Sequence, residues 1–539
     1  MPSDPVSVPY DRSVRWPRIV GLLRDDGPLG RSLSMVVLAA AWVATWRPQV
    51  DPDAWWHLAI GERILSSGAI PAVEPFSWLT GGERFVAHSW LWDILMALAY
   101  RTGGATGTSL LVLPVTASVV AAGWLLIGLA APGSPPLGRA LLVLAATAPA
   151  LPFWSPRSQT IDMALVLVTV LILGRWLRLE DRRGFLLLPV IGLAWANLHG
   201  SAILGLAACL AFAAVARPIG ARWGAWPHRA VGPLVWAGAA AIVGAFANPY
   251  GPGLWGYPFD REVASAFSPV IVEWQSPDFG AVTLLPARVL LAVAFLAAVW
   301  IPRRSRDPFL LLAAAAWTLA ALGSARFIPI AGLLLVVALS PAIGPAIARW
   351  LGRLGGLGSV VKGLDSGVAD RAAGQRRGRA AVGIGMVAIL AFLGAGWLVI
   401  EPGRQDAAIA HRMPVAAVAA LDAAGCDARL MPAYSWAGYV IWFSDREVGA
   451  YGNSAERPVA EQAAVEMVAT DPRKWLDSHG VGAVLMPADG PLSHWLSEAD
   501  EWRRVYQDGF ATIDVRIDAG DCPLAIRGRR DGSLLRPPL

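Results

Sequence analysis

Apolar runs of near-membrane-spanning length recur from residue 32 to about residue 400 and then stop. They fall at 32–47, 106–130, 137–154, 159–177, 184–198, 201–217, 230–247, 286–302, 308–323, 327–348 and 380–400. A helix needs about 20 such residues to cross the hydrocarbon core, so the pattern predicts about eleven membrane helices, several of them short. The runs around 184–217 are separated only by Asn197-Leu198-His199-Gly200, a very tight turn. Past residue 401 the apolar runs shrink to strand length. Ala428–Tyr434, Tyr439–Phe443, Glu447–Tyr451, Val481–Met486 and Ala511–Ile517 read as strands, and Pro458–Ala469, Pro472–His479 and Ser493–Gln507 as helices. That pattern predicts an α/β body after the membrane region.

One long polar loop, residues 48–105, interrupts the apolar pattern early. Its head reads Asp51-Pro52-Asp53-Ala54-Trp55-Trp56-His57-Leu58-Ala59-Ile60-Gly61-Glu62. Asp53 is placed to cap a helix running to about Ser66 and broken by Gly68 and Pro71. On that helix Asp53 and His57 are neighbours four residues apart, with Gly61 above them. Trp55 and Trp56 are expected at the headgroup level, where an indole meets both water and lipid, and the helix is expected to lie along the membrane surface. A second helix is predicted from about His88 to Tyr100.

Charge orients these elements. With the N-terminus in the cytoplasm, the cytoplasmic segments hold 23 Lys/Arg and the outer segments before residue 401 hold eight, as the positive-inside rule requires. An odd number of helices then puts residues 401–539 outside. The expected organisation is a cytoplasmic tail 1–31, a transmembrane region 32–400 and an extracytoplasmic α/β domain 401–539. Residues 1–400 carry a net +11 and the remainder −6, so the basic pI near 9.4 reflects topology and does not argue for nucleic acid. Residues 32–47 are expected to act as a signal anchor, since no cleavable leader is apparent.

The rest of the chemistry is sparse. Cys209 lies in a membrane helix; Cys426 and Cys522 fall in the outer body, where a disulfide between them or two separate thiols both fit. No CxxC or HExxH spacing, Gly-rich phosphate loop or nucleophile elbow occurs. Other polar residues cluster on the outer side: Arg157 after Ser155-Pro156, Asn197 and His199 in one turn, Asn248-Pro249-Tyr250-Gly251, and Arg326 at a helix start.

The helix exit followed by Asp53, with His57 four residues on and Gly68 fifteen, resembles the start of the GT-C superfamily of membrane glycosyltransferases. Its dolichyl-phosphate-mannose-protein mannosyltransferase-like and bacterial lipid-A-glycosyltransferase-like members are the most similar. The stretch Asp51–Leu91 looks like a bacterial subgroup with a DPDxWWHL signature. Two departures stand out: Ala54 occupies the place of a second acidic residue, and His57 that of a Tyr.

The resemblance implies a polytopic GT-C-like α-helical membrane fold in a bacterial cytoplasmic membrane. It also implies inverting transfer of a sugar from a polyprenyl-phosphate donor to a glycan, lipid or protein acceptor at the outer face. Asp53 would be the base that deprotonates the acceptor. Asp51 would raise the pKa of Asp53 or share a divalent cation, Mg or Mn, with it. His57, His88 and His199 are further candidates for binding substrate or phosphate. Arg157 and Arg326 are candidates to grip phosphate bidentately. Against each stands a plain structural role: a cap for Asp53, interfacial anchoring for the others. A transporter or flippase, and a non-catalytic glycan-assembly scaffold, are the competing functions; no internal repeat and few mid-helix charges favour the former.

Overall fold

The structure is a computed structural model and describes residues 28–256, 271–300, 307–353, 371–444, 446–450 and 459–519. The tail before residue 28, Tyr451 and Cys522 lie outside them.

The membrane region comprises α1 (Pro28–Val43), α2 (Pro52–Ser67), α3 (Trp90–Ala130), α4 (Pro136–Thr147), α5 (Gln159–Leu179), α6 (Leu188–Leu198), α7 (Ala202–Trp223), α8 (Gly232–Phe246), α9 (Leu285–Trp300), α10 (Pro308–Gly323), α11 (Ile328–Arg353) and α12 (Arg371–Ile400). Among the described residues six segments are long and apolar enough to cross a membrane: Trp90–Ala130, Pro136–Phe153, Gln159–Leu179, Ala202–Trp223, Ala325–Gly344 and Gly378–Ile400. Five shorter apolar helices accompany them, and each run read from the sequence falls on one of the eleven segments. The protein is a multi-pass membrane protein. Its core is built where α3, α4, α5, α10 and α11 meet, around Leu126, Val143, Leu167, Phe309 and Leu334. Buried Gln405 ties the far end of the bundle together: its side chain accepts from the Gln49 N–H at 2.7 Å and donates to the Ser109 hydroxyl at 2.8 Å.

Helix α2 begins two residues earlier than the sequence suggested. Asp51, not Asp53, is the cap, accepting the Asp53 N–H at 3.0 Å, and Asp53 lies in the first turn. Pro52 explains the shift, since a proline at the first helical position is pre-organised there and its missing N–H removes nothing. Gly68 ends the helix as expected, in the left-handed region at φ 68°. The predicted second helix starts at Trp90 but does not stop near Tyr100. It continues as α3 into the membrane, with a break in helical geometry at Gly104 (φ 57°, ψ −149°).

The C-terminal part comprises α13 (Pro402–Ala410), α14 (Val415–Ala423), β1 (Leu430–Pro432), α15 (Ala437–Ser444), α16 (Val459–Glu466), α17 (Pro472–Ser478), β2 (Ala483–Pro487), α18 (Pro491–Glu498), β3 (Trp502–Gln507) and β4 (Ala511–Arg516). The strands form a small mixed sheet in the order β1-β2-β4-β3, with β1 parallel to β2 and the other pairs antiparallel. Two expectations fail here. Tyr439–Phe443 is helical rather than a strand: Tyr439 and Phe443, four residues apart, pack their rings on Trp55 of α2, and tertiary packing overrides aromatic β-propensity. Ser493–Gln507 is not one helix. It breaks after Glu498, and residues 502–507 pair with β4.

Packing of α15 on α2 also overturns the expected position of the tryptophans. Trp55 is fully buried and Trp56 nearly so; Trp55 meets Tyr439 edge-on at 5.2 Å between centroids. A Cβ on Gly438 would come within 2.7 Å of the Trp56 ring. The hydrophobic core of the C-terminal sheet runs without a break into α2. Helix α2 is therefore enclosed between α3 and α15 instead of floating on the membrane surface, because the indoles bury more apolar area against protein than an interface provides. The loop after α2 is stitched on as well: Phe76 and Trp78 exchange backbone hydrogen bonds with Val448 at 2.9 and 3.2 Å.

Candidate active site

Asp53 and His57 of α2, His88 ahead of α3, Arg157 ahead of α5, His199 between α6 and α7 and Arg326 ahead of α11 all line one cavity of about 340 Å³. Six positions scattered over 270 residues of sequence are thus brought together. Asp51 stands behind them.

Arg157 is the hub of one wall. Its guanidinium contacts the carboxylates of Asp53 at 3.0 Å and Asp51 at 3.4 Å, and it is paired with Glu273. Burial works against its charge, but Asp51, Glu273 and Asp53 outweigh burial and raise its pKa, so it stays cationic. Asp51 is fully committed: one oxygen caps α2 and the other accepts the Ser155 hydroxyl at 2.6 Å. Asp53 is half exposed on its side chain. Its Oδ2 faces Arg157, and Oδ1 has no hydrogen-bond partner among the described residues. Desolvation first, then repulsion from Asp51, raises the Asp53 pKa, with Arg157 opposing. That is the electrostatic setting of a carboxylate made more basic than usual.

The histidines divide by partner. His57 Nδ1 is 2.6 Å from Asp93 Oδ1, both groups buried. Burial disfavours its charge, yet Asp93, Asp53 and Asp51 together raise its pKa. His199 Nδ1 lies 2.8 Å from Asp162 and 2.9 Å from the Ser201 hydroxyl. His88 is different: burial, with the nearby His199 and His57, pushes it down to about 3. Its ring is neutral at physiological pH and brings no charge to a phosphate. Arg326 stacks on Trp274, 4.7 Å from the ring centroid, and has no carboxylate ion pair among the described residues.

Three acidic residues here were not singled out from the sequence: Asp93, Asp162 and Glu273. Two carried a legible signal, because Asp93 and Asp162 each open a membrane helix, and carboxylates there are uncommon without a purpose. Glu273 sits in a loop and carried none.

Asp51 and Asp53 do not fit a divalent cation in this arrangement. One oxygen each of Asp51 and Asp53 is turned to the Arg157 guanidinium, which supplies the positive charge a cation would bring, and the other Asp51 oxygen caps α2, so only Asp53 Oδ1 is left to ligate. Among the described residues no group of three or more His, Cys, Asp or Glu converges as a metal site.

No family model matches the chain, and no curated protein matches it. Solved structures do. The archaeal oligosaccharyltransferase AglB from Archaeoglobus fulgidus, solved with an inhibitory peptide and a dolichol-phosphate, aligns with a TM-score of 0.52 at 12% identity, over 89% of this chain and 74% of that one. ArnT from Cupriavidus metallidurans aligns in its apo state with a TM-score of 0.49 at 12% identity, over 90% and 96%, and with undecaprenyl phosphate bound with 0.44 at 16%, over 92% and 98%. At such identity the AglB likeness shows the fold alone: this chain shares the overall fold of that membrane oligosaccharyltransferase.

Proposed function

We propose that the protein is a GT-C-type inverting glycosyltransferase that moves a sugar from a polyprenyl-phosphate donor to an acceptor hydroxyl at the outer face of the membrane. The observation that carries this reading is Asp53. It is a carboxylate with one oxygen fixed by Arg157 and the other turned to a cavity that also presents Arg326. Asp53 takes the proton of the acceptor hydroxyl, and that oxygen attacks the anomeric carbon. The bond to phosphate breaks with its electron pair leaving on the polyprenyl phosphate, whose charge falls to Arg326. Arg157, closed by three carboxylates, orients Asp53 rather than gripping phosphate. His57, held by Asp93, lies within electrostatic reach of the same carboxylates. The C-terminal body braces α2 through Trp55 and Trp56. In this reading the N-terminus is cytoplasmic and residues 401–539 are outside, so reporter fusions after residues 181 and 75 give cytoplasmic and outer signals respectively.

Asp53→Asn tests the assignment. It removes the base and the charge at nearly constant volume, and it leaves the cap untouched because Asp51 supplies it. The variant is expected to insert normally and lose transfer by roughly 10²-fold or more. Asp51→Asn keeps the cap, as Asn caps as well as Asp, but removes the repulsion that raises Asp53. The acid limb of kcat/KM, where protonation of Asp53 abolishes the base, then moves to lower pH. Normal complementation by Asp53→Asn, in cells where a deletion has a glycan defect, would return the residue to a structural role and leave a scaffold as the better reading.

A further inference from the structure

One wall of the cavity takes no part in the chemistry above. It is formed by His88 and His199, whose rings meet edge-on at 5.9 Å between centroids, with Asp162 and Trp195 behind them. We infer that His88 and His199, backed by Asp162 and Trp195, receive the transferred sugar and select a neutral, hydroxyl-bearing ring over a carboxylate-bearing one. This rests on the glycosyltransferase reading and deepens it.

Three observations carry the inference. The first is how firmly the wall is built. Both oxygens of Asp162 are engaged, Oδ1 by the Trp195 indole N–H at 2.7 Å and Oδ2 by His199 Nδ1 at 2.8 Å. With Nδ1 turned to a carboxylate, Nε2 is the ring nitrogen left to meet a ligand. It has no partner among the described residues. Nor is the set a nucleophilic triad, because Ser201 and Asp162 approach the same His199 nitrogen and no base is left on the far side of the ring. The second observation is charge. His88 is neutral and His199 is shared with Asp162, so this wall offers no spare cation to a sugar carboxylate, while hydroxyls find both donors and acceptors. Arg326, near enough to act on His88, stacks on Trp274, where the phosphate takes it. The third is size. A cavity of about 340 Å³ is at the small end of the ~300–1,000 Å³ usual for ligand sites. It admits one ring and a phosphate, with Trp317 offering apolar surface to the ring's C–H faces.

The test is equilibrium binding to the full-length protein in nanodiscs, using three short-chain lipids: bare polyprenyl phosphate, polyprenyl-phosphate hexose and polyprenyl-phosphate hexuronate. The hexosyl lipid is expected to bind more tightly than the bare lipid, and the hexuronosyl lipid no more tightly. His88→Gln and His199→Gln are each expected to shrink the ratio of hexosyl to bare affinity by roughly two- to tenfold, the range for one hydrogen bond. Arg326→Gln is expected to weaken both lipids in parallel and keep the ratio. Measurable binding of the bare lipid by each variant serves as the check on folding. A ratio unchanged in both histidine variants, or hexuronate bound as tightly as hexose, would overturn this inference while leaving the glycosyltransferase reading in place. Failure of the wild-type protein to bind any of the three lipids would remove both.

Discussion

At Gly61, α2 lies against the backbone of α3 at Asp93, and replacing it tests whether that approach builds the site. A Cβ at Gly61 would sit 2.5 Å from the Asp93 carbonyl carbon and 3.0 Å from the Ala97 Cβ. The first contact is with backbone, so no side chain can swing away. The Asp93 carbonyl oxygen lies nearer still, so restoring the 3.4 Å at which ordinary contact begins requires the helices to part by well over 0.9 Å. His57 and Asp93 span the same seam at 2.6 Å, and an opening of that size carries their bond past its outer limit near 3.5 Å. Overpacking costs about 1–3 kcal/mol, and a hydrogen bond to a charged group contributes about 1.5–3 kcal/mol. Alanine returns about 1 kcal/mol as the better helix former. The expected net loss is on the order of 2–5 kcal/mol. Misplacing a reacting group by about 1 Å also lowers turnover by up to about 10²-fold. Gly61→Ala is therefore expected to unfold at markedly lower temperature in detergent and to transfer sugar poorly. Gly394→Ala, with nothing within 4 Å of the added methyl, is the control and should match wild type or exceed it. A Gly61→Ala protein with normal melting and normal turnover would refute the idea that this seam positions α2.

Further outcomes follow from the same geometry. Glu74 is buried, and burial pushes its carboxyl up to about 7. The folded state therefore holds a proton that the unfolded state releases near pH 4.5, and stability falls as pH rises from about 4.5 to 7, by on the order of 3 kcal/mol. Glu74→Gln keeps the acceptor for the Phe76 N–H and is expected to flatten that part of the stability–pH curve; an unchanged slope in thermal melts across this range would contradict the burial argument. Residues 405–539 expressed alone expose the face of Tyr439 and Phe443 that Trp55 covers. They are expected to fold their sheet yet bind a hydrophobic dye such as ANS, whereas a dye-silent, monomeric fragment would show that α2 is dispensable to that core. Arg157→Lys keeps one charge but loses the fork shared among three carboxylates, so turnover should fall more than donor affinity; a pure affinity loss would restore Arg157 to phosphate binding.

Hydropathy is a property of each run taken alone, which is why the membrane class and the position of each of the eleven apolar segments were legible without a fold. The cluster of Asp53, His57, His88, Arg157, His199 and Arg326 was legible for a related reason: residues at helix ends on one side of a bilayer are confined to one plane, so proximity follows from topology. Their pairing was not legible. Whether Arg157 meets a phosphate or three carboxylates depends on partners 104 and 116 residues away, and no local pattern encodes that. The same holds for Asp93 on His57 and Asp162 on His199. Local propensity also pointed the wrong way where tertiary packing offered more. Tyr439–Phe443 looks like a strand until α2 gives its aromatic rings a helical seat, and Trp55 and Trp56 look like interfacial anchors until α15 covers them. The cap moved from Asp53 to Asp51 because Pro52 is better placed inside a helix than before it. The chain alone thus marked which helix ends carry polar residues; only the folded structure decided which of them hold each other and which line the cavity.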